Sequence, residues 1–428
     1  MPLKFSLRPG EKVIVNGAVI GSWAAHVPFA QARIGGSTGT LGLCLLALAG
    51  GALIAMPITG QLLDRRSSAG LVRIGGIVEP LLLMVPLLAF SPVTLGLALL
   101  ALGLANGLLD VSMNAHGAAL ERTRAHPIMS SLHAGWSLGG LTGAGLAAIG
   151  NAFGADPRAQ LVVVGVVLLA IGFACGPRLG EATAQTIAAP AFASTTPDAG
   201  RDASSASASS RTRLQPRAAR PPRTRLRAAV PPRPALLLGA LAVVLFMAEG
   251  AMGDWSALYL HRDLTLSASF AAAGYAAFQA GMTIGRLSGD AVNRALGASR
   301  LLRGGTALAA IAFGTLLALA EPALALPALA LTGLGLSNGV PLLFSAAGRV
   351  RGIAPGPAQA AVSTMGYGGL LVGPPLLGLL ANATSLPIAL GLSAALVGLV
   401  SLLAGQVAGG VLHTHGSRAA RQPDTVAA

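Results

Sequence analysis

The sequence predicts an all-α membrane protein, with twelve transmembrane helices in two pseudo-symmetric six-helix bundles. Three observations predict it. Of the 428 residues 53% are hydrophobic and only 10% are charged, against about a quarter charged in a soluble domain. A surface so poor in charge has to face lipid. Apolar runs of about 18 residues or more, the length that crosses a bilayer, recur twelve times, and basic residues alternate in step with them.

In chain order the runs cover 13–30, 39–63, 70–90, 93–118, 128–150 and 159–179, then 235–260, 268–289, 301–320, 323–347, 358–381 and 386–412. The first is the weakest, broken by Asn16, Gly17, Gly21, His26 and Pro28. It reads either as a short, irregular helix or as a start that lacks upstream apolar residues. The stretch 180–233 is Ala, Ser, Thr, Pro and Arg without apolar periodicity. Such a segment cannot bury enough surface to order itself, so it reads as a disordered cytoplasmic linker. The expected organisation is a bundle over 1–179, this linker, a second bundle over 234–412 and a cytoplasmic tail over 413–428.

Orientation follows from the excess of Lys and Arg on cytoplasmic segments. With both termini inside, 26 of the 29 basic residues fall inward and only Arg33, Arg158 and Arg262 outward. The net charge of +14 is therefore distributed as a topology signal and not as a nucleic-acid-binding patch. Cys44 and Cys175 sit in apolar runs without ligand-like neighbours, so neither a metal site nor a disulfide framework is implied. No cleavable signal pattern opens the chain. There is no H-E-x-x-H pattern, no P-loop and no paired Cys/His ligand set, so neither an enzyme nor a cofactor is expected.

The two halves repeat. Gly21–Ala25 reads GSWAA and Gly253–Ala257 reads GDWSA; Gly103–Gly107 reads GLANG and Gly335–Gly339 reads GLSNG. Both pairs share one offset of 232 residues. Gly135-Trp136 and Gly366-Tyr367 follow at 231. A duplicated membrane bundle suits a carrier whose halves rock about a site at their interface.

With these features the sequence resembles the major facilitator superfamily. Gly60, Asp64 and Arg65 stand where that family has its Gly-x-x-x-Asp-Arg turn after the second span, although Ser67-Ser68-Ala69-Gly70 departs from its usual continuation. Asp110–Arg122, Pro127–Gly140, Ala248–Leu260 and Ser363–Gly378 look like the YbjJ-type branch, related to the fucose permeases. The resemblance implies a secondary carrier in the bacterial inner membrane, working as a single copy of the chain. It implies proton-coupled uptake of a small hydrophilic, sugar-like solute. It also implies gating by Gly60, Asp64 and Arg65, with Asp290 in the weaker second-half copy. A proton-driven exporter of drugs or metabolites is the alternative. A non-transporting solute sensor fits less well, because 180–233 is no folded domain.

Four carboxylates, Glu79, Asp110, Glu249 and Asp254, sit inside spans. Each charge facing lipid would cost about 2.5–3.5 kcal/mol on insertion scales, so they face protein or water, or hold a proton. Asn106, Asp110 and Asn114 are spaced at i, i+4 and i+8, which puts them on one helical face. This stripe reads as a solute or proton path, or else as glue between helices. His133 is expected at the depth of Asp110 and in contact with it. Glu249 is the leading candidate for proton coupling, beside Asp110, Asp254 and His133. Trp23, Trp255, Trp136, Tyr259 and Asn338 complete the expected solute cavity. Glu79 reads as structural, in a span broken by Pro80 and Pro86.

Overall fold

The computed structural model describes residues 7–63, 65–122, 129–175, 233–347, 349–350 and 355–411. The described residues form α-helices: α1 (Leu7–Ile34), α2 (Thr38–Leu63), α3 (Ser68–Leu83), α4 (Pro92–Arg122), α5 (Met129–Ala152), α6 (Pro157–Cys175), α7 (Arg233–Leu258), α8 (Ala268–Leu296), α9 (Ala298–Leu319), α10 (Ala325–Leu336), α11 (Gly339–Ala347), α12 (Pro355–Ala383) and α13 (Leu386–Val411). The expected linker and tail lie outside the described residues.

Each expected span has its helix, with two differences. The first span is neither short nor irregular: α1 runs unbroken for 28 residues with Pro28 inside it. Its polar residues are tolerated because most of the helix faces protein. Asn16 and His26 are buried and hydrogen-bonded, and Gly17 and Gly21 lie against the backbone of α5. The tenth span is two pieces. Pro341 has no N–H, so the Ser337 carbonyl loses its donor four residues on, and the helix breaks at Ser337-Asn338. In α3, Pro80 lies within the helix, and only the region of Pro86 ends it, in a 3₁₀ turn over Pro86–Leu88.

Among the described residues, ten helices are long and apolar enough to cross a membrane, counting α10 and α11 together. The two spans outside that set are α5 and α8, rich in Gly, Ser and Ala. They pack on each other across the boundary between the halves. Lipid demands large apolar side chains, whereas helix contacts in lipid favour small ones.

The halves also meet through α2 with α12 and α1 with α7. One end of this boundary is sealed. There Asn151 donates to the Ala268 carbonyl (3.2 Å) and Ser269 to the Ala148 carbonyl (2.7 Å), both between α5 and α8. Gly42 and Gly378 bring α2 and α12 into backbone contact at the same end. Among the described residues, no hydrogen bond joins the halves at the opposite end, beyond Arg286.

Two basic residues belong inside the protein and not in the tally of loop charges. Lys12 is buried in α1 and donates to the Gly172 carbonyl of α6. Arg286 lies within α8, mostly buried, and points to the interface. The bias of the remaining basic residues survives both corrections.

Candidate functional site

Arg286 is the hub. It reaches from α8 to Glu249 on α7, with Nη2 3.6 Å from Oε2. Its Nη1 crosses to the other half, donating to Ser137 Oγ (2.6 Å) and to the His133 carbonyl (3.4 Å) on α5. The guanidinium also stands 5.9 Å from the centre of the Trp136 ring, within cation–π range. One side chain therefore ties the second half to the first.

From Trp136 the network continues inward. Its indole N–H donates to Asn16 Oδ1 on α1 (2.6 Å), and Asn16 Nδ2 donates to Glu79 Oε1 on α3 (2.8 Å). Asn106 Nδ2 on α4 donates to the same oxygen (3.0 Å). A polar path thus runs Glu79–Asn16–Trp136–Arg286–Glu249 through both halves.

Several buried polar atoms around Arg286 have no partner among the described residues. They are Arg286 Nε, Glu249 Oε1 and Gln279 Oε1. Gln279 lies two turns before Arg286 on α8, and its Nε2 donates to Tyr275 Oη (2.6 Å). Tyr275 faces Gly253 on α7. The charges of Glu249, Asp254 and Arg286 all act on it. A buried polar group without a partner costs about 1–3 kcal/mol, so each of the three atoms is an unmet hydrogen-bonding demand within α7 and α8.

The expected residues divide. Glu249 and Trp136 belong to this hub. Asp254 is half-buried nearby and makes no hydrogen bond among the described residues. The stripe on α4 splits: Asn114 donates to Asp110 Oδ1 (3.1 Å), whereas Asn106 turns to Glu79. Asp110 and Asn114 are half-buried and His133 is exposed. The expected Asp110–His133 contact is not made, because Asp110 is taken by Asn114 and α5 offers only the His133 carbonyl to the network. Asn338 donates to the Gly285 carbonyl (2.9 Å), which spends it on joining α10 to α8. Tyr259 is buried in a π-helical turn after α7 and donates to the Leu316 carbonyl (3.5 Å). Trp23 and Trp255 are enclosed in the core with unbonded indole N–H groups, not open to a cavity in this conformation. Gly60, Arg65 and Asp290 are exposed towards the unsealed end. Asp64 lies outside the described residues.

Sequence reasoning missed Arg286, Asn16, Ser137, Gln279 and Tyr275, and discounted Glu79. The available signal was the isolated Arg286 within a helical run: a buried carboxylate such as Glu249 calls for a cation. Two Gly-x-Ser-x-Gly strings, Gly135–Gly139 and Gly335–Gly339, also escaped the motif reading. Neither forms the strand-to-helix elbow of a serine hydrolase. Ser137 sits inside α5 under Arg286, and Ser337 bonds the Leu334 carbonyl at the α10 break. No group of three or more potential metal ligands occurs among the described residues.

No family model matches the chain. An uncharacterised MFS-type transporter of Yersinia pestis is 32% identical over 383 residues, covering 90% of both chains. The chain belongs to the major facilitator superfamily. An uncharacterised transporter of Sinorhizobium fredii is 30% identical over 401 residues, covering 91% of this chain and 95% of that one. The membrane protein MosC of Rhizobium meliloti is 30% identical over 372 residues, covering 87% and 82%. A similar fold is seen in the crystal structure of the nucleoside transporter NupG (D323A mutant), with a TM-score of 0.69, 11% identity and coverage of 94% of this chain and 99% of that one. It is seen again in a bacterial homologue of the human lysosomal transporter Spinster, with a TM-score of 0.65, 14% identity and coverage of 96% and 97%. This superfamily member is a multi-pass membrane protein that performs secondary transport across that membrane.

Proposed function

We propose that the chain is a proton-coupled symporter of a small, hydroxyl-bearing solute of the sugar type, in the bacterial inner membrane with both termini in the cytoplasm. The observation that carries the reading is the unsaturated cluster at the interface: Glu249 Oε1, Arg286 Nε and Gln279 Oε1, buried and unbonded around an ion pair of 3.6 Å. A polyol offers hydroxyls that donate to the two oxygens and accept from the guanidinium, and the Trp136 face suits the apolar side of a sugar ring. The likeness to the fucose-permease branch supports the same class.

Glu249 is the proposed coupling group. Ionised, it neutralises Arg286, whose other nitrogen holds α5. Protonated, it releases that attraction and donates a hydrogen bond itself, so proton and solute together reset the cross-link between the halves. A buried pair is sensitive to such a change, because losing one charge leaves the other uncompensated. Asp110, Asp254 and His133 are the further proton-exchanging groups of this reading. The charge asymmetry supports a sealed end that faces outside. The structure then corresponds to an inward-open state, with Asp110, Asn114 and His133 lining the inner vestibule. Gly60, Asp64, Arg65 and Asp290 would close the inner mouth in the other state. The expected division into bundles over 1–179 and 234–412, joined by a linker, fits this rocking cycle, and one copy of the chain suffices for it.

Thermal stability of the purified protein tests the reading, screened with sugars, polyols, amino acids and hydrophobic cations at pH 5.5 and 7.5. A ligand at 100 times its Kd adds about 2.7 kcal/mol. Stabilisation by a sugar or polyol whose pH dependence is lost in Glu249→Gln supports the symporter. Stabilisation by hydrophobic cations alone replaces it with the exporter.

A further inference from the structure

Glu79 is wholly buried in α3, yet it is wired to the interface. Oε1 accepts from Asn16 (2.8 Å) and Asn106 (3.0 Å), whereas Oε2 is buried without a partner. Asn16 is oriented by both neighbours. Its amide nitrogen has to face the carboxyl, because its oxygen accepts the indole N–H of Trp136 at 2.6 Å. Trp136 in turn lies against Arg286. Every bond from Glu79 to the indole is thus assigned a direction, and the first depends on the charge of Glu79. Bonds to an ionised acceptor are roughly twice as strong as neutral ones. A proton on the carboxyl loosens Asn16, and through it the position of Trp136.

We propose that Glu79 is a second proton-binding residue of the transport cycle, whose state is read at the interface through Asn16 and Trp136. The groups around it fit such a role. Lys12, one turn before Asn16 on α1, lies against Gly76 of α3 and donates to Gly172 of α6. Asp110 on α4 is near enough for its charge to act on Glu79. Asp110 is half-buried, one turn beyond Asn106 on α4. Glu79 touches neither the cluster at Arg286 nor any atom there; it is a positioning residue. The inference extends the proposed coupling, and its first test does not depend on Glu249 carrying the driving proton or on knowing the solute.

In the full chain with Trp23→Phe and Trp255→Phe, Trp136 is the sole remaining tryptophan of three. Its emission is titrated from pH 5 to pH 9 in detergent. With Glu249→Gln also present, so that the Arg286 partner cannot titrate, the expected result is a transition that survives Asp110→Asn and disappears in Glu79→Gln, which keeps an acceptor oxygen for both asparagines. A transition that persists in Glu79→Gln overturns the proposal, as does a flat titration in the parent. Should Glu79→Gln fail to fold, Asn16→Ala serves instead. It cuts the link while leaving the carboxyl, so the transition must vanish there too, and its persistence overturns the relay. Loss of the symporter reading by the stability screen would leave this titration unaffected.

Discussion

Gly42→Ala should shift the protein towards the state in which the sealed end is open. In the present state a methyl at Gly42 would lie 2.7 Å from the Pro374 carbonyl oxygen and 3.1 Å from Gly378 Cα. Both are backbone atoms, so neither can swing away, and α2 and α12 must part by several tenths of an ångström. Overpacking of this kind costs about 1–3 kcal/mol. The contact joins the two halves and is lost when that end opens, so the cost falls on one state only. At 1.4 kcal/mol per factor of ten, the equilibrium moves by about 5- to 150-fold. The assay is labelling of a Thr38→Cys reporter by a membrane-impermeant maleimide, in a chain with Cys44→Ser and Cys175→Ser. Thr38 is buried at the seal, with its carbonyl against Gly378. Labelling should rise about fivefold or more in Gly42→Ala. Gly17→Ala is the control. Its methyl would meet the Trp136 carbonyl within one half, so it should lower the melting temperature without speeding labelling. An unchanged labelling rate in a normally stable Gly42→Ala protein would refute the reasoning, as would equal acceleration by both variants.

Three further outcomes follow. Glu249→Gln should remove the difference between solute-induced stabilisation at pH 5.5 and at pH 7.5, since the amide mimics the protonated acid; a preserved difference in the thermal shift would move coupling to another carboxyl. Trp136→Phe leaves Asn16 Oδ1 without its donor and should lower stability by about 1–3 kcal/mol, read as a lower melting temperature, with weaker solute stabilisation as well. Asp64→Asn should slow uptake into proteoliposomes without weakening solute binding, because its proposed role is at the inner gate; lost binding in a folded protein would contradict that role.

Much of the fold was legible because lipid imposes it. Twelve apolar runs had to become helices, since backbone polar groups in a bilayer find partners only within a helix or a closed barrel. The break in the tenth span was legible in principle at Pro341. The first span misled because Asn16, His26 and its glycines look wrong for lipid, whereas α1 faces protein. The site was legible in its carboxylates and far less in their partners. Glu249 stood out as a charge within an apolar run. Arg286, near the end of its run, was counted with the topology-setting arginines. The stripe of Asn106, Asp110 and Asn114 was rightly placed on one helix, but spacing could not tell that Asn106 serves α3 and Asn114 serves Asp110. Symmetry suggested that Asn338 would act as Asn106 does, and it instead braces α8.

The sequence by itself determined the class of molecule, the number and order of the spans, the repeat and the alternation of its charge, because each depends on local composition measured against a bilayer. Only the tertiary structure decided which buried polar groups meet. Glu79, Asn16, Trp136, Arg286 and Glu249 come from five helices far apart in the chain, and a hydrogen bond formed within about 3 Å carries no trace in the spacing of residues along any one of them.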